Sequence, residues 1–160
     1  MPLCPCSIPC LYEALWKALV PGREAGSDGS ETDNEGQPKI LIAEDNLTTQ
    51  TTYSDFLSAK GYRVIVAANG AEAIERTREA RPDLILMDIQ MPGMDGLDTT
   101  RRLRSDPELS GIPIIALTAL VMPGDRERCL DAGANDYLTK PLSLKQLVLT
   151  IETFLQKNGA

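Results

Sequence analysis

The chain has 160 residues, 42% of them hydrophobic, which is enough for one folded domain with a substantial core. Its net charge of −7 argues against broad binding of nucleic acid, because the phosphate backbone requires clustered lysine and arginine. Histidine is absent, which excludes Ser-His-Asp and Cys-His catalysis and any metal site with a histidine ligand. No apolar run approaches the roughly 20 residues of a membrane span and no secretory signal is visible, so we expect a cytoplasmic location.

Residues 1–38 differ from the rest of the chain, and we predict a mostly disordered N-terminal extension there. Leu11, Leu15 and Leu19 recur every four residues, which favours a short amphipathic helix over residues 9–20. Such a helix is too short to be stable alone; it could dock on the folded domain, a partner or a membrane surface, or have no role. The rest of the extension is an acidic Gly/Ser linker with almost nothing to bury.

From Lys39 onward, short apolar runs alternate strictly with helical patterns. The first helix has Asp45 or Asn46 as its N-cap and Gly61 as its stop. Because the apolar runs are continuous, they predict strands that are covered on both faces, in a doubly wound, five-stranded parallel α/β sheet over residues 39–160. The predicted strands are 39–44, 62–68, 83–88, 112–118 and 135–140, and the predicted helices are 46–61, 70–80, 96–105, 123–133 and 143–157.

Polar residues stand where four of the five predicted strands end. The first strand ends in Glu44 and Asp45, the third in Asp88, the fourth in Thr118 and the fifth in Lys140. Each residue alone has an ordinary interpretation as a helix cap, a loop residue or a solvated charge. Ligands of doubly wound sheets bind outside the carboxyl ends of the strands, so the coincidence favours one shared site.

The acidic members of this set predict a magnesium site. Crowded carboxylates repel one another and are costly to keep ionised without a cation. Ligation by oxygen alone, without histidine or cysteine, points to a hard ion such as Mg²⁺. We expect Asp45 and Asp88 to bind the ion directly and Glu44 to hold a bound water. The backbone carbonyl of Gln90, in the loop after the third strand, is a candidate for a further ligand.

The remaining two residues suggest what the site acts on. Lys140 supplies positive charge and Thr118 a hydroxyl donor, and with Mg²⁺ they would neutralise the oxygens of an incoming phosphoryl group. Asp88 is then the candidate nucleophile, which would form an aspartyl phosphate. The apolar third strand would hold this carboxylate rigidly in line for the transfer.

These motifs, in this order and spacing, resemble those of bacterial two-component response-regulator receiver domains. They are the pair Glu44-Asp45 and the segments LMDIQMPGMDG, ALTA and DYLTKP, and the resemblance covers about residues 39–156. The chain is similar in character to single-domain regulators of the DivK kind and to receivers attached to hybrid histidine kinases. The resemblance implies a flavodoxin-like (βα)5 fold and Mg²⁺-dependent phosphorylation of Asp88 in a phosphorelay.

The resemblance also implies roles for further residues. The backbone N–H of Ala119 is expected to bind the phosphoryl group, and Lys140 to pair with it and with Asp88. Thr118 would contact the group and move on activation, and Tyr137 would then swing inward. Partners would read the face formed by the fourth helix, the fifth strand and the fifth helix. The phosphoryl donor would be a separate histidine kinase, a histidine phosphotransfer protein or acetyl phosphate, because the chain itself has no histidine.

On this interpretation the chain is a phosphoacceptor signalling domain rather than an enzyme, and it catalyses only its own phosphorylation and dephosphorylation. Because no output domain is predicted after the last helix, we expect output through protein contacts.

Other functions fit parts of the pattern. A haloacid-dehalogenase-type phosphatase would need a second aspartate two residues after Asp88, where Gln90 stands. A flavodoxin-like electron carrier would need a hydroxyl-rich phosphate loop where EDNLTTQTT places acids. A pseudo-receiver that only binds proteins would normally lack Asp88, Lys140 or the acidic pair, all of which are present. The receiver part of a hybrid histidine kinase has the same chemistry and stays open.

Overall fold

The computed structural model describes residues 36–119 and 122–158. The predicted helix at 9–20 and most of the predicted linker lie outside these ranges. Within them, five strands alternate with five helices, and no helix has the length and apolar character needed to cross a membrane. The strands are β1 Lys39–Ala43, β2 Arg63–Ala67, β3 Leu84–Asp88, β4 Ile114–Thr118 and β5 Asp136–Thr139, and the helices are α1 Leu47–Ala59, α2 Gly70–Ala80, α3 Gly96–Ser105, α4 Asp125–Asp131 and α5 Leu144–Asn158.

The strands form one sheet in the order β2-β1-β3-β4-β5, and every neighbouring pair is parallel. This confirms the predicted flavodoxin-like (βα)5 architecture, a doubly wound five-stranded sheet of the α/β class. The chain runs outward from β1 to β2 and then returns to β3 on the other side of β1. The order therefore reverses between β1 and β3, which is where ligands bind in sheets of this kind.

The core has two layers, one on each face of the sheet, because successive side chains of a strand point to opposite faces. In β3, Leu84 and Leu86 pack in a cluster with buried residues of α1 and α5. Ile85 and Met87 pack on the other face, with buried residues of α2 and α3. All five residues of β3 are buried, whereas the edge strand β2 has only one buried residue, because it has a neighbour on one side only. The strand that carries Asp88 is thus held on every side.

The start of α1 decides between the two predicted caps. The side chain of Asn46 accepts hydrogen bonds from the backbone N–H groups of Thr48 and Thr49, at 2.9 and 3.2 Å. Asn46 is therefore the N-cap, which satisfies donors that the first helical turn leaves unpaired. Asp45 is exposed and precedes the cap. Its carboxylate therefore does not cap the helix and is available at the carboxyl edge of the sheet.

The contact between α3 and the end of β3 requires glycine. A Cβ atom on Gly96 would lie 2.1 Å from the backbone oxygen of Asp88 and 2.8 Å from the Cα of Ile89. The backbone N–H of Gly96 donates to the carbonyl of Ile89 at 3.2 Å. The first turn of α3 therefore rests directly against the backbone of Asp88 and restricts its movement.

Candidate functional site

Three carboxylates meet at the carboxyl edge of the sheet, where the strand order reverses. Glu44 follows β1 directly, Asp45 comes next, and Asp88 is the last residue of β3. Each offers an oxygen atom, and these oxygens all lie within 4.8 Å of one another. Glu44 and Asp88 are each only 2% exposed, whereas Asp45 is open to solvent. Two of the predicted ligands are therefore buried, and the third lies at the entrance.

Lys140 bridges the two buried acids. Its Nζ atom lies 2.8 Å from Oε2 of Glu44 and 3.0 Å from Oδ2 of Asp88. Burial alone would lower the pKa of Lys140, but its hydrogen bonds to Glu44 and Asp88 outweigh that effect and raise the pKa. The side chain therefore stays a cation at neutral pH. The resemblance implied the contact with Asp88, but not the equally close contact with Glu44.

The crowding raises the pKa of the Glu44 carboxyl from 4.5 to about 7. Burial is the main cause, because it disfavours the charged form. The neighbouring Asp88 raises the pKa further, and the hydrogen bond from Lys140 offsets part of the increase. One ammonium group is thus too little positive charge for the buried acids, and Glu44 retains a proton up to neutral pH.

The second oxygen of Asp88 is also held. The backbone N–H of Gln90 donates to Oδ1 of Asp88 at 3.0 Å, while Lys140 binds Oδ2. Together with Gly96 behind its backbone, these contacts fix the orientation of the carboxylate. The predicted role of the Gln90 carbonyl as a metal ligand stays a prediction.

The other predicted site residues lie along β4 and β5. Thr118 is the last residue of β4 and is 2% exposed, and its carbonyl accepts the backbone N–H of Lys140 at 2.7 Å. Ala119 follows and is exposed. Tyr137 on β5 is partly buried and pairs in register with Ala116 of β4, two residues before Thr118. All of these residues except Tyr137 therefore stand at the same edge of the sheet as the acids.

Tyr137 has a partner that the sequence did not indicate. The guanidinium of Arg126, on α4, lies 5.8 Å from the centroid of the Tyr137 ring. A cation at this distance is attracted by the negative face of an aromatic ring. The ring thus packs against a charged residue of α4.

The donor set fits a magnesium ion. Glu44, Asp45 and Asp88 offer only oxygen atoms, which Mg²⁺ prefers, and they come close enough together to surround one small cation. The raised pKa of Glu44 is a second sign that the site lacks positive charge. A divalent cation would relieve this repulsion more fully than a proton does, and the exposed Asp45 leaves an entry path.

Gln50 is a site neighbour that sequence reasoning missed. Its side chain is 7% exposed, and its amide group donates a hydrogen bond to the backbone carbonyl of Glu44. Gln50, Tyr53 and Leu57 are the buried residues of α1, and their spacing places them on one helix face. That spacing was the available signal, because it puts a polar residue on the face that packs against the sheet.

Comparison with known proteins agrees with the sequence resemblance. Residues 40–152 match the response regulator receiver domain family. The chain is 45% identical over 116 residues to the polar-differentiation response regulator DivK of Brucella anthropi, which covers 72% of this chain and 94% of the relative. It also resembles the chemotaxis protein CheY4 of Vibrio cholerae, with a TM-score of 0.71, 30% identity and coverage of 74% of this chain and 98% of that one.

A third similar protein has a metal ion in its structure. It is the receiver domain of a sensor histidine kinase from Pseudomonas aeruginosa, with a TM-score of 0.70, 41% identity and coverage of 75% of this chain and 98% of that one. Its structure has a magnesium ion coordinated in the active-site cleft. The sequence match, the fold and the acidic pocket agree, and the chain belongs to the response regulator receiver domain family of two-component signalling.

Proposed function

We propose that the chain accepts a phosphoryl group on Asp88 in a Mg²⁺-dependent reaction and signals through phosphorylation-dependent protein contacts. The observation that carries this proposal is the arrangement around Asp88. Its carboxylate lies beside two further acids, at the end of a fully buried strand, and is bound by the ammonium of Lys140 at 3.0 Å. This combination supplies a nucleophile, a set of oxygen ligands and a fixed positive charge at one place.

The proposed reaction is an in-line displacement at phosphorus. A carboxylate oxygen of Asp88 attacks the phosphorus of a phosphohistidine, an oxygen–phosphorus bond forms, and the phosphorus–nitrogen bond breaks. The imidazole leaves with the electron pair and takes up a proton. Lys140 is positioned to neutralise a phosphoryl oxygen, and the hydroxyl of Thr118 and the backbone N–H of Ala119 are the proposed hydrogen-bond donors.

Glu44, Asp45, Asp88 and the carbonyl of Gln90 are the proposed magnesium ligands, with Glu44 acting through water. When bound, the ion would supply charge neutralisation for the phosphoryl oxygens and fix the orientation of the group. Hydrolysis of the aspartyl phosphate by water would return Asp88 to its free form. The chain would therefore act as a phosphoacceptor that catalyses only its own phosphorylation and dephosphorylation, not as an enzyme with a separate substrate.

The proposed output is a two-state change that starts at Thr118. Movement of this residue towards the phosphoryl group would let Tyr137 swing inward from its partly buried position and leave Arg126. The face formed by α4, β5 and α5 would then be reshaped for a downstream protein. A cavity of about 300 Å³ beside Thr118, lined also by residues of α4, supports this proposal because it leaves room for rearrangement.

The proposed upstream partner is a histidine kinase or a histidine phosphotransfer protein, and the proposed location is the cytoplasm. The excess of acidic residues supports output through proteins rather than nucleic acid. A receiver attached to a hybrid histidine kinase is the second candidate. It is favoured by the 41% identity to the receiver of the Pseudomonas aeruginosa kinase, and it would use the same chemistry.

The test is the intact mass of the protein after incubation with acetyl phosphate and Mg²⁺. We expect the wild type to gain one phosphoryl group, and we expect no gain in Asp88→Asn or in the presence of EDTA. Asp131→Asn, which removes an exposed aspartate from α4, is the matched control and should behave as the wild type does. No gain in the wild type, together with failure to form a beryllofluoride complex, would refute phosphotransfer and favour a pseudo-receiver that only binds proteins.

A further inference from the structure

The buried polar side chains on the described helices make their hydrogen bonds in two different ways. Thr77, Thr99 and Thr100 each donate to a backbone carbonyl four residues earlier in the chain. These bonds are local and connect no separate elements. Gln50 instead reaches out of α1 to the backbone carbonyl of Glu44, which is six residues earlier and directly follows β1.

This bond falls where the hydrogen-bond ladder of the sheet ends. The backbone N–H of Glu44 still pairs with the carbonyl of Ala67 in β2, at 3.0 Å. The backbone carbonyl of Glu44 accepts a hydrogen bond from the side-chain amide of Gln50. The peptide group that joins Glu44 to Asp45 is therefore fixed by a side chain of α1. Its orientation sets the direction in which the chain turns from β1 towards the exposed Asp45.

We propose that Gln50 is a positioning residue for the magnesium site, an inference that rests on the proposed function. Gln50 fixes the Glu44–Asp45 peptide, and through it the Asp45 carboxylate relative to Asp88. Tyr53 and Leu57 bury the same face of α1 and keep that part of the helix in place against the sheet. Because Mg²⁺ demands near-ideal octahedral geometry, a small displacement of one carboxylate weakens binding.

Loss of the amide donor has a defined consequence. The Glu44 carbonyl would be left buried without its partner, so the peptide would turn towards solvent to recover a hydrogen bond. Asp45 would move with it, whereas the Asp88 carboxylate would keep its contacts with Lys140 and Gln90. The effect is therefore specific to the acidic pair that follows β1, and it should appear as weaker metal binding with an intact phosphoacceptor.

The test compares full-length Gln50→Met with full-length Thr77→Val. Gln50→Met keeps the length of the side chain and removes the donor. Thr77→Val removes a buried hydrogen bond of 2.6 Å that the Thr77 hydroxyl makes within α2. Thr77 lies in the second half of this helix, from which the chain enters the amino end of β3, away from the acids. It therefore controls for loss of stability. By calorimetric titration, Gln50→Met should bind Mg²⁺ about tenfold more weakly than the wild type does, the size of effect typical when a residue that orients a metal ligand is lost. Thr77→Val should bind Mg²⁺ as the wild type does.

Two further measurements separate positioning from general stability. In metal-free protein, the amide resonances of Asp45 and Asn46 should shift in Gln50→Met and not in Thr77→Val. The rate of phosphorylation by acetyl phosphate should fall about tenfold at low Mg²⁺ and recover at saturating Mg²⁺, because the defect lies in metal affinity. If Gln50→Met does not fold, Gln50→Leu, which is close in size, uncharged and also lacks the donor, replaces it.

The outcomes distinguish this inference from the proposed function. If the wild type binds Mg²⁺ and Gln50→Met binds it equally well, the positioning role is overturned and the proposed function stands. The same holds if Thr77→Val weakens binding as much as Gln50→Met does, or if neither Gln50 variant folds while Thr77→Val does. If the wild type itself binds no Mg²⁺, the proposed function fails and the inference falls with it.

Discussion

Replacing Glu44 by glutamine should remove a pH dependence of stability that the metal-free wild type shows. The pKa of Glu44 is about 7 in the folded protein, whereas in the unfolded chain it takes its ordinary value of 4.5. Between these values the folded state binds one proton more than the unfolded state does. The free energy of unfolding therefore falls as pH rises, by ~1.4 kcal/mol per pH unit. This contribution is fully present below the unfolded pKa and is lost as pH rises through the folded pKa.

The magnitude follows from the window. The comparison is made between about pH 5.5 and pH 8. Over this interval the free energy of unfolding changes through Glu44 only below its folded pKa of about 7, which is ~1.5 pH units. The wild type should therefore lose roughly 2 kcal/mol of unfolding free energy. Glu44→Gln cannot titrate and should not lose it. The assay is urea unfolding followed by circular dichroism in EDTA at both pH values, with midpoints compared at equal m-values. The other titrating groups are common to both proteins, so the difference between them reports Glu44 together with its interactions with Asp88 and Lys140.

The matched control for this experiment is Glu75→Gln, which removes the same unit of charge from an exposed position on α2. It should retain the pH dependence of the wild type. If Glu44→Gln loses as much stability as the wild type between the two pH values, the proposed proton on Glu44 is absent. The electrostatic account of the site would then be wrong.

Three further predictions concern the same site. The apparent affinity of the wild type for Mg²⁺ should fall by up to ~10-fold per pH unit below the Glu44 pKa, because Glu44 must lose its proton before the ion binds. An affinity that does not change with pH in calorimetric titrations would contradict this. Lys140→Met should slow phosphorylation by acetyl phosphate by about 100-fold, because it removes the fixed positive charge, but it should not weaken Mg²⁺ binding. Lys145→Met, at an exposed position, is the control, and equal phosphorylation rates in the two variants would refute the proposed role of Lys140. Gly96→Ala should cost ~1–3 kcal/mol of stability and slow phosphorylation, because its Cβ would strike the end of β3. Gly111→Ala, where a Cβ meets open space, should do neither, and equal melting temperatures of the two glycine variants would count against the close contact.

The sequence was most informative where local chemistry decides the structure. The apolar run before Asp88 predicted a buried strand, and the structure buries all five residues of β3. The predicted helices 70–80 and 96–105 agree with α2 and α3 at both ends, because Gly and Pro bound the segments and asparagine or aspartate caps them. The sequence could not decide whether Asp45 or Asn46 caps α1, because aspartate and asparagine cap helices about equally well. The structure shows that Asn46 is the cap.

Contacts that depend on the order of the strands could not be predicted in this way. β5 lies at an edge of the sheet, and β3 and β4 separate it from β1. The bond of 2.8 Å between Lys140 and Glu44 therefore requires the long lysine side chain to reach across the ends of both intervening strands. Nothing local in DYLTKP or in KILIAE indicates this. The same is true of Gly96, whose role depends on how closely α3 approaches the backbone of Asp88.

The electrostatics of the metal-free site also suggest an order of events for the proposed reaction. Glu44 and Asp88 are buried with one ammonium between them, and Asp45 is a third acid at the entrance. A phosphoryl donor is itself an anion, so it would be repelled by the acids that surround its target. A divalent cation neutralises the negative charge that the three acids carry in excess of Lys140, and we therefore expect Mg²⁺ to bind before the donor. A proton on Glu44 is no substitute, because it removes one negative charge without offering a ligand to the phosphoryl oxygens, so phosphorylation should require Mg²⁺ even at pH values where Glu44 is neutral.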